Sequence, residues 1–129
     1  MRLTENFTQR EFNSRCGTPM TKEILENVKE LACNLQVLRD FLGEPIKINS
    51  GYRSEAYNRR IGGVSRSQHL LGKAGDIRVK DLDTKDLYLI IESLIEDGKM
   101  QQGGLGLYDS FVHYDIRGRK ARWDYRKNK

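Results

Sequence analysis

Histidine is nearly absent from this chain: His69 and His113 are the only two. Cysteine is equally scarce. Cys16 and Cys33 cannot build a disulfide framework, which excludes the disulfide-stapled class of small domains. Cys33 falls inside an amphipathic helical pattern and reads as a small core residue. No apolar run approaches the roughly 18 to 20 residues that a membrane helix needs, so no membrane partner is expected. The opening stretch, MRLTENFTQREF, lacks the apolar core of a secretory signal. Repeats and low-complexity tracts are missing as well.

What is present describes a globular chain. Hydrophobic residues make up 37% and charged residues 32%, a balance that argues against disorder. The 129 residues suit one compact domain spanning 1–129, with an N-terminal arm over 1–20 and a basic tail over 124–129. Net charge is +5, much of it late in the chain: Arg117, Arg119, Lys120, Arg122, Arg126, Lys127 and Lys129, against Asp124. Such an end attracts a polyanion, either nucleic acid or an anionic envelope, or is simply solvated. No nucleic-acid motif accompanies the charge, so a nucleic-acid partner is not expected. The chain is expected to act as a monomer.

Periodicity outlines the elements. A short helix is expected near Thr8–Asn13, with Phe7 and Phe12 pinning the arm. Thr21 can cap a long helix whose stripe runs Ile24, Leu25, Val28, Leu31, Ala32, Leu35, Leu38 and Phe41, with Gly43 as its stop. IKINSGYR, residues 46–53, alternates as a strand, with Ile46, Ile48, Ser50 and Tyr52 on one face. Ser54 caps a short helix through Arg60, and Gly62–Gly63 open a loop that ends near Gly72. GDIRVK reads as a second strand. Thr84 caps the next helix, which Gly98 ends. GGLGLY and FVHYDIR form two strands joined at Asp109–Ser110, with Val112, Tyr114 and Ile116 on one face and Phe111, His113, Asp115 and Arg117 on the other. This order predicts an α+β fold with a small antiparallel sheet flanked by helices.

The two histidines each precede an aspartate. His69 and Asp76 bracket Gly72, Ala74 and Gly75, which allow a tight backbone path between them. His113 comes from a separate strand. Two imidazoles and a carboxylate with one open position make a catalytic zinc arrangement, with bonds of about 2.0 to 2.2 Å. The plainer readings are a strand-end aspartate and a half-buried strand histidine.

The pattern S-x-H-x-x-G-x-A-x-D, filled by Ser67, His69, Gly72, Ala74 and Asp76, resembles the signature of the zinc D-Ala-D-Ala carboxypeptidases and related peptidoglycan peptidases, metallopeptidase family fifteen. That family shares its fold with the hedgehog signalling domain. INSGYRSEAYNRRIGG and GGLGLYDSFVHYDIRG resemble its flanking segments, so the likeness covers residues 5–123. It is strongest to the short, single-domain members of phages and bacteria.

The resemblance implies that His69, Asp76 and His113 bind Zn2+. It places Arg53 beside a peptidoglycan peptide as a catalytic and substrate-binding residue, the plainer alternative being a structural salt bridge. Ser67 and Gln68 shape the loop or contact ligands and substrate, and Tyr108 lines the cleft. One departure stands out. Many family members carry the general base two or three residues before the last zinc histidine, where this chain has Phe111 and Ser110. Asp115, about 7 Å from His113 on the same strand face, is the expected base or a group that steers the water. Asp109 is the second candidate, and an Asp115 salt bridge to Arg117 or Arg53 is the structural alternative. The expected activity is hydrolysis of an amide bond in stem or cross-link peptides, as a carboxypeptidase or an endopeptidase. The rival is a zinc-containing module that grips wall peptides without cutting them. The expected location is the cytoplasm at synthesis and the cell wall after release, as for a phage lysis protein.

Overall fold

Phe7 and Phe12 tie the polar arm to the core. They are 1% and 0% exposed, and their rings sit 6.0 Å apart. Between them runs helix α1 (Gln9–Phe12), and Glu11 accepts from the Thr8 backbone N–H at its start. Helix α2 (Lys22–Leu42) begins where the Thr21 hydroxyl accepts from Ile24 N, satisfying a donor that a helix start leaves unpaired. It ends at Gly43, which turns left-handed. The computed structural model describes residues 1–127; Lys129, counted above with the basic tail, lies outside the described residues.

The buried stripe of α2 is Val28, Leu31, Ala32, Leu35 and Leu38. Two expectations fail here. Cys33 is exposed, because one residue past Ala32 is a turn of about 100° round the helix and off the stripe. Phe41 is 61% exposed, in the last turn, beyond the point where the buried stripe ends at Leu38.

The strands are β1 (Lys47–Ser50), β2 (Ala74–Arg78), β3 (Gly104–Leu107), β4 (Val112–Asp115) and β5 (Ala121–Asp124). Helix α3 (Glu55–Arg60) follows β1, capped by Ser54, and helix α4 (Thr84–Glu96) follows β2. The sheet order is β1-β2-β4-β3-β5. All pairs are antiparallel except β3 with β5. The small antiparallel sheet is therefore present, with one parallel edge that the sequence pattern did not announce. After β4 the chain turns at Gly118 and returns along the far side of β3, which makes β5 parallel to it.

One sheet face packs on helices. Ile77, Leu105, Leu107, Val112 and Tyr114 meet the stripes of α2 and α4 in a continuous core. Tyr114 is fully buried and its hydroxyl donates to the Gln101 carbonyl at 2.7 Å, which satisfies its one polar group. The start of α4 differs from expectation. Asp83, in extended conformation, is the cap and accepts from Lys85 N. Thr84 is the first helical residue and donates instead to the Tyr108 carbonyl, 2.9 Å away.

β1 carries a second correction. Lys47 pairs with Arg78 and Ile48 with Ile77, yet Ser50 pairs with Asp76. The extra residue, Asn49, is a bulge, and a bulge reverses the alternation after it. Ser50 therefore leaves the face of Ile48 and joins that of Asp76.

β5 occupies what the sequence suggested was the approach to a solvated tail. Its charges are largely paired. Arg122 reaches Glu92 on α4 through two bonds of 2.6 and 2.7 Å and also donates to the Gly103 carbonyl. Arg126 pairs with Asp124 at 2.8 Å. Arg122→Ala should destabilise the fold by about 2 kcal/mol at pH 7, as loss of charged hydrogen bonds does. The Arg122 bonds hold the Glu92 carboxyl below its ordinary range, against the upward push of partial burial. A depressed carboxylate stabilises fully above the ordinary glutamate range and loses that contribution as pH falls through its folded value. The difference between wild type and Arg122→Ala should therefore shrink in urea melts run below about pH 4.

Candidate metal centre and its cleft

The face of the sheet away from α2 and α4 carries a single row of paired residues across all five strands. Ser50 pairs with Asp76, Asp76 with His113, His113 with Gly106, and Gly106 with Trp123. Ladder partners on one face lie about 4.5 to 5.5 Å apart, so Asp76 and His113 meet without any special loop. Gly106 is required in this row. A Cβ there would collide with the Trp123 indole, which lies across it.

His69 arrives from outside the sheet, on the 3-10 turn Gln68–Leu71. The Ser67 hydroxyl accepts from His69 N at 3.1 Å, and Arg53 N donates to the His69 carbonyl at 3.0 Å. Gly72 ends the turn at φ 73°, a conformation glycine adopts without strain, and sends the chain back into β2. The His69 ring thereby sits 5.2 Å from that of His113, edge to face.

Both rings are fixed from behind. His69 Nδ1–H donates to the Gly51 carbonyl at 2.7 Å, an atom that can only accept. His113 Nε2–H donates to Asp115 Oδ2 at 2.7 Å. The other nitrogens, His69 Nε2 and His113 Nδ1, lie 3.2 and 3.1 Å from the same atom, Asp76 Oδ1. Two imidazole nitrogens thus converge on one carboxylate oxygen, and a cation, either a ring proton or a metal ion, fits between them. The three donor atoms all lie within 4.8 Å of one another, close enough for one metal ion to reach them all. Burial pushes the Asp76 carboxyl up, but the two imidazoles more than offset it and hold the group well below the usual range.

Arg53 braces Asp76 from the other side. Its Nη2 donates to Asp76 Oδ2, its Nη1 to Asn58 Oδ1 and its Nε to Ser50 Oγ, each at 3.2 Å. A guanidinium carries more N–H groups than these three bonds use, and Arg53 also lines the cleft. The salt bridge and a place beside the cleft are thus properties of one side chain. Asn58, 2% exposed, was not anticipated; its amide donates to the Val64 carbonyl and holds the 61–67 loop.

Asp115 is fully buried and saturated. Oδ1 accepts from Gly104 N, Arg117 N and Arg117 Nε; Oδ2 accepts from His113 Nε2 and Arg117 Nη2. Its carboxyl is held well below the usual range, since these partners outweigh the upward push of burial. It does not line the cleft. Asp109 is exposed on the hairpin turn, accepts from Lys127 N, and borders a different hollow beside Lys47 and Arg78.

The cleft above the cluster holds about 490 Å³. Tyr108 forms part of its wall, as expected, stacked on Phe111 at 4.3 Å, and Gln68 lines it too. Ser67 serves mainly as the turn's cap. Trp123 packs 5.0 Å from the His113 ring, and the Arg117 guanidinium covers Trp123 at 5.6 Å. Trp123 is the chain's single tryptophan, which was the available hint, but nothing local said that residues 121–124 would return to the sheet.

The peptidase M15 family model matches residues 5–115. The chain belongs to that family. It is also 35% identical over 79 residues to the zinc D-Ala-D-Ala carboxypeptidase of Streptomyces albus G, a match that covers 56% of this chain and 31% of that relative. The chain therefore spans about a third of the length of that relative. Arg117, Trp123 and Tyr125 lie beyond the family-matched segment of this M15 chain, although all three line the cleft. No helix among the described residues is long and apolar enough to cross a membrane.

Proposed function

We propose that this chain is a zinc peptidase that hydrolyses an amide bond in the peptide part of peptidoglycan. The observation that carries the reading is the convergence of His69 Nε2, His113 Nδ1 and Asp76 Oδ1 beneath an open cleft. Two imidazoles and one carboxylate are the donor set of a zinc hydrolase, and the similar Streptomyces protein is a zinc carboxypeptidase by name. Bound there, zinc supplies Lewis acidity toward water and toward a peptide carbonyl.

The chain's own groups prepare that position. Gly51 and Asp115 take the N–H of each imidazole, so the unprotonated nitrogens face inward. Asp115 is a positioning residue in this reading, with no oxygen left to accept a proton from water. Arg53 holds Asp76 in place and borders the cleft, where a guanidinium suits a carbonyl or carboxylate oxygen. Tyr108, Phe111 and Tyr125 give the peptide an aromatic wall.

One observation favours the second reading, a wall-peptide binding module. Among the described residues lining the cleft, Asp76 is the sole carboxylate, and it belongs to the metal cluster. Metal analysis of the purified protein, with digestion of isolated peptidoglycan and mass analysis of the products, separates the two. About one zinc per chain with released D-alanine or cleaved cross-links supports the peptidase, and the product masses name the bond. Zinc with retention on peptidoglycan but no release supports the module. Absence of both zinc uptake and binding sinks each reading.

A further inference from the structure

Tyr108 has more than a wall's geometry. It borders the cleft together with His69, Asp76 and His113. Its ring is held on two sides, stacked on Phe111 at 4.3 Å with 15° between planes and met edge-on by Tyr125 at 5.9 Å. Its hydroxyl oxygen accepts from Trp123 Nε1–H at 3.0 Å.

That last bond sets the phenol's polarity. An indole N–H can only donate, so it occupies a lone pair of the Tyr108 oxygen and turns the O–H elsewhere. Among the described residues no side chain or carbonyl accepts that O–H. Burial, with the negative charge of Asp76 adding to it, keeps the phenol above its ordinary pKa despite the Trp123 bond. At neutral pH the group is a donor and not a base. Trp123 is itself immobilised, resting across Gly106 and covered by Arg117.

We propose that the Tyr108 hydroxyl, aimed by the Trp123 indole, donates a hydrogen bond to the substrate oxygen that gains negative charge when the carbonyl is attacked. The inference rests on the peptidase reading. No proton leaves Tyr108; the bond strengthens as charge develops, which lowers the barrier without tightening ground-state binding. Trp123 is a positioning residue, supplied by a strand outside the segment that matches the family.

The test uses Tyr108→Phe, which keeps the aromatic stack, and Trp123→Phe, which removes the aiming N–H. With peptidoglycan peptide as substrate, Tyr108→Phe should lower kcat by about 10²-fold with KM within about 2-fold. Zinc content should not change. Affinity for a phosphinic peptide, a tetrahedral anion mimic, should fall by a similar factor, while affinity for an uncleaved product peptide stays constant. Trp123→Phe should move the same quantities in the same direction, less steeply, and it carries the test if Tyr108→Phe does not fold. Unchanged kcat, a loss confined to KM, or undiminished phosphinic affinity overturns the inference while leaving the peptidase intact. A wild type that hydrolyses nothing overturns the peptidase reading and this inference with it.

Discussion

His69→Ala should lower hydrolysis by at least about 10³-fold, the several kcal/mol that metal catalysis supplies, and should leave the purified protein without zinc. The substitution is chosen for its economy. The turn that carries His69 is held through the His69 backbone, since the Ser67 hydroxyl accepts from His69 N and the His69 carbonyl accepts from Arg53 N. The ring itself touches only the Gly51 carbonyl and Asp76 through hydrogen bonds. Removing it therefore takes away one of the three donor atoms while the polypeptide path stays in place. Chelator treatment of wild type should reproduce the loss, and added zinc should restore wild type but not the variant. Thermal unfolding of apo wild type beside the variant checks the fold. Retained activity in a folded His69→Ala protein would remove the basis for the zinc assignment.

Asp115→Ala is expected to act chiefly on stability, with a cost of about 3–5 kcal/mol. The carboxylate is completely buried and accepts five hydrogen bonds. Its removal strands the Arg117 guanidinium, the Gly104 N–H and His113 Nε2–H at once. For a chain of this size the melting temperature should drop by about 15 °C. Asp115→Asn keeps the shape and loses the charge; it should weaken zinc binding about 10- to 100-fold, as changes to groups that orient ligating imidazoles do. This pair separates positioning from proton transfer. A general base at residue 115 would give an Asn variant that is stable, fully loaded with zinc and slow. The saturated geometry predicts a destabilised protein that holds metal poorly.

The residues of the candidate metal cluster were legible because their chemistry is written locally. Only two histidines exist, and the Ser67–Asp76 pattern carries its own glycines. Strand alternation then placed His113, Asp115 and Arg117 on one face and Val112, Tyr114 and Ile116 on the other, as the structure has them. Thr8, Thr21, Ser54 and Gly43 mark helix ends correctly, since a cap needs only a neighbouring backbone group. The failures are of another kind. Cys33 lies one residue off a buried stripe, Ser50 was moved across the sheet by a bulge, and Thr84 yielded the cap to Asp83. Each depends on a small shift of register or angle that composition does not encode.

The amino-acid sequence on its own determined which residue types could meet an ion and which faces of the strands and helices would be apolar. Those are properties of short range, set by spacing of two or about 3.6 residues. Tertiary structure alone decided that β5 would return to the sheet, that Trp123 would lie over His113 and bond Tyr108, and that Asp115 would be enclosed by Arg117 and Gly104. Those contacts join residues brought together only when strands choose their neighbours, and that choice follows from burying the whole sheet face against α2 and α4 rather than from any local pattern.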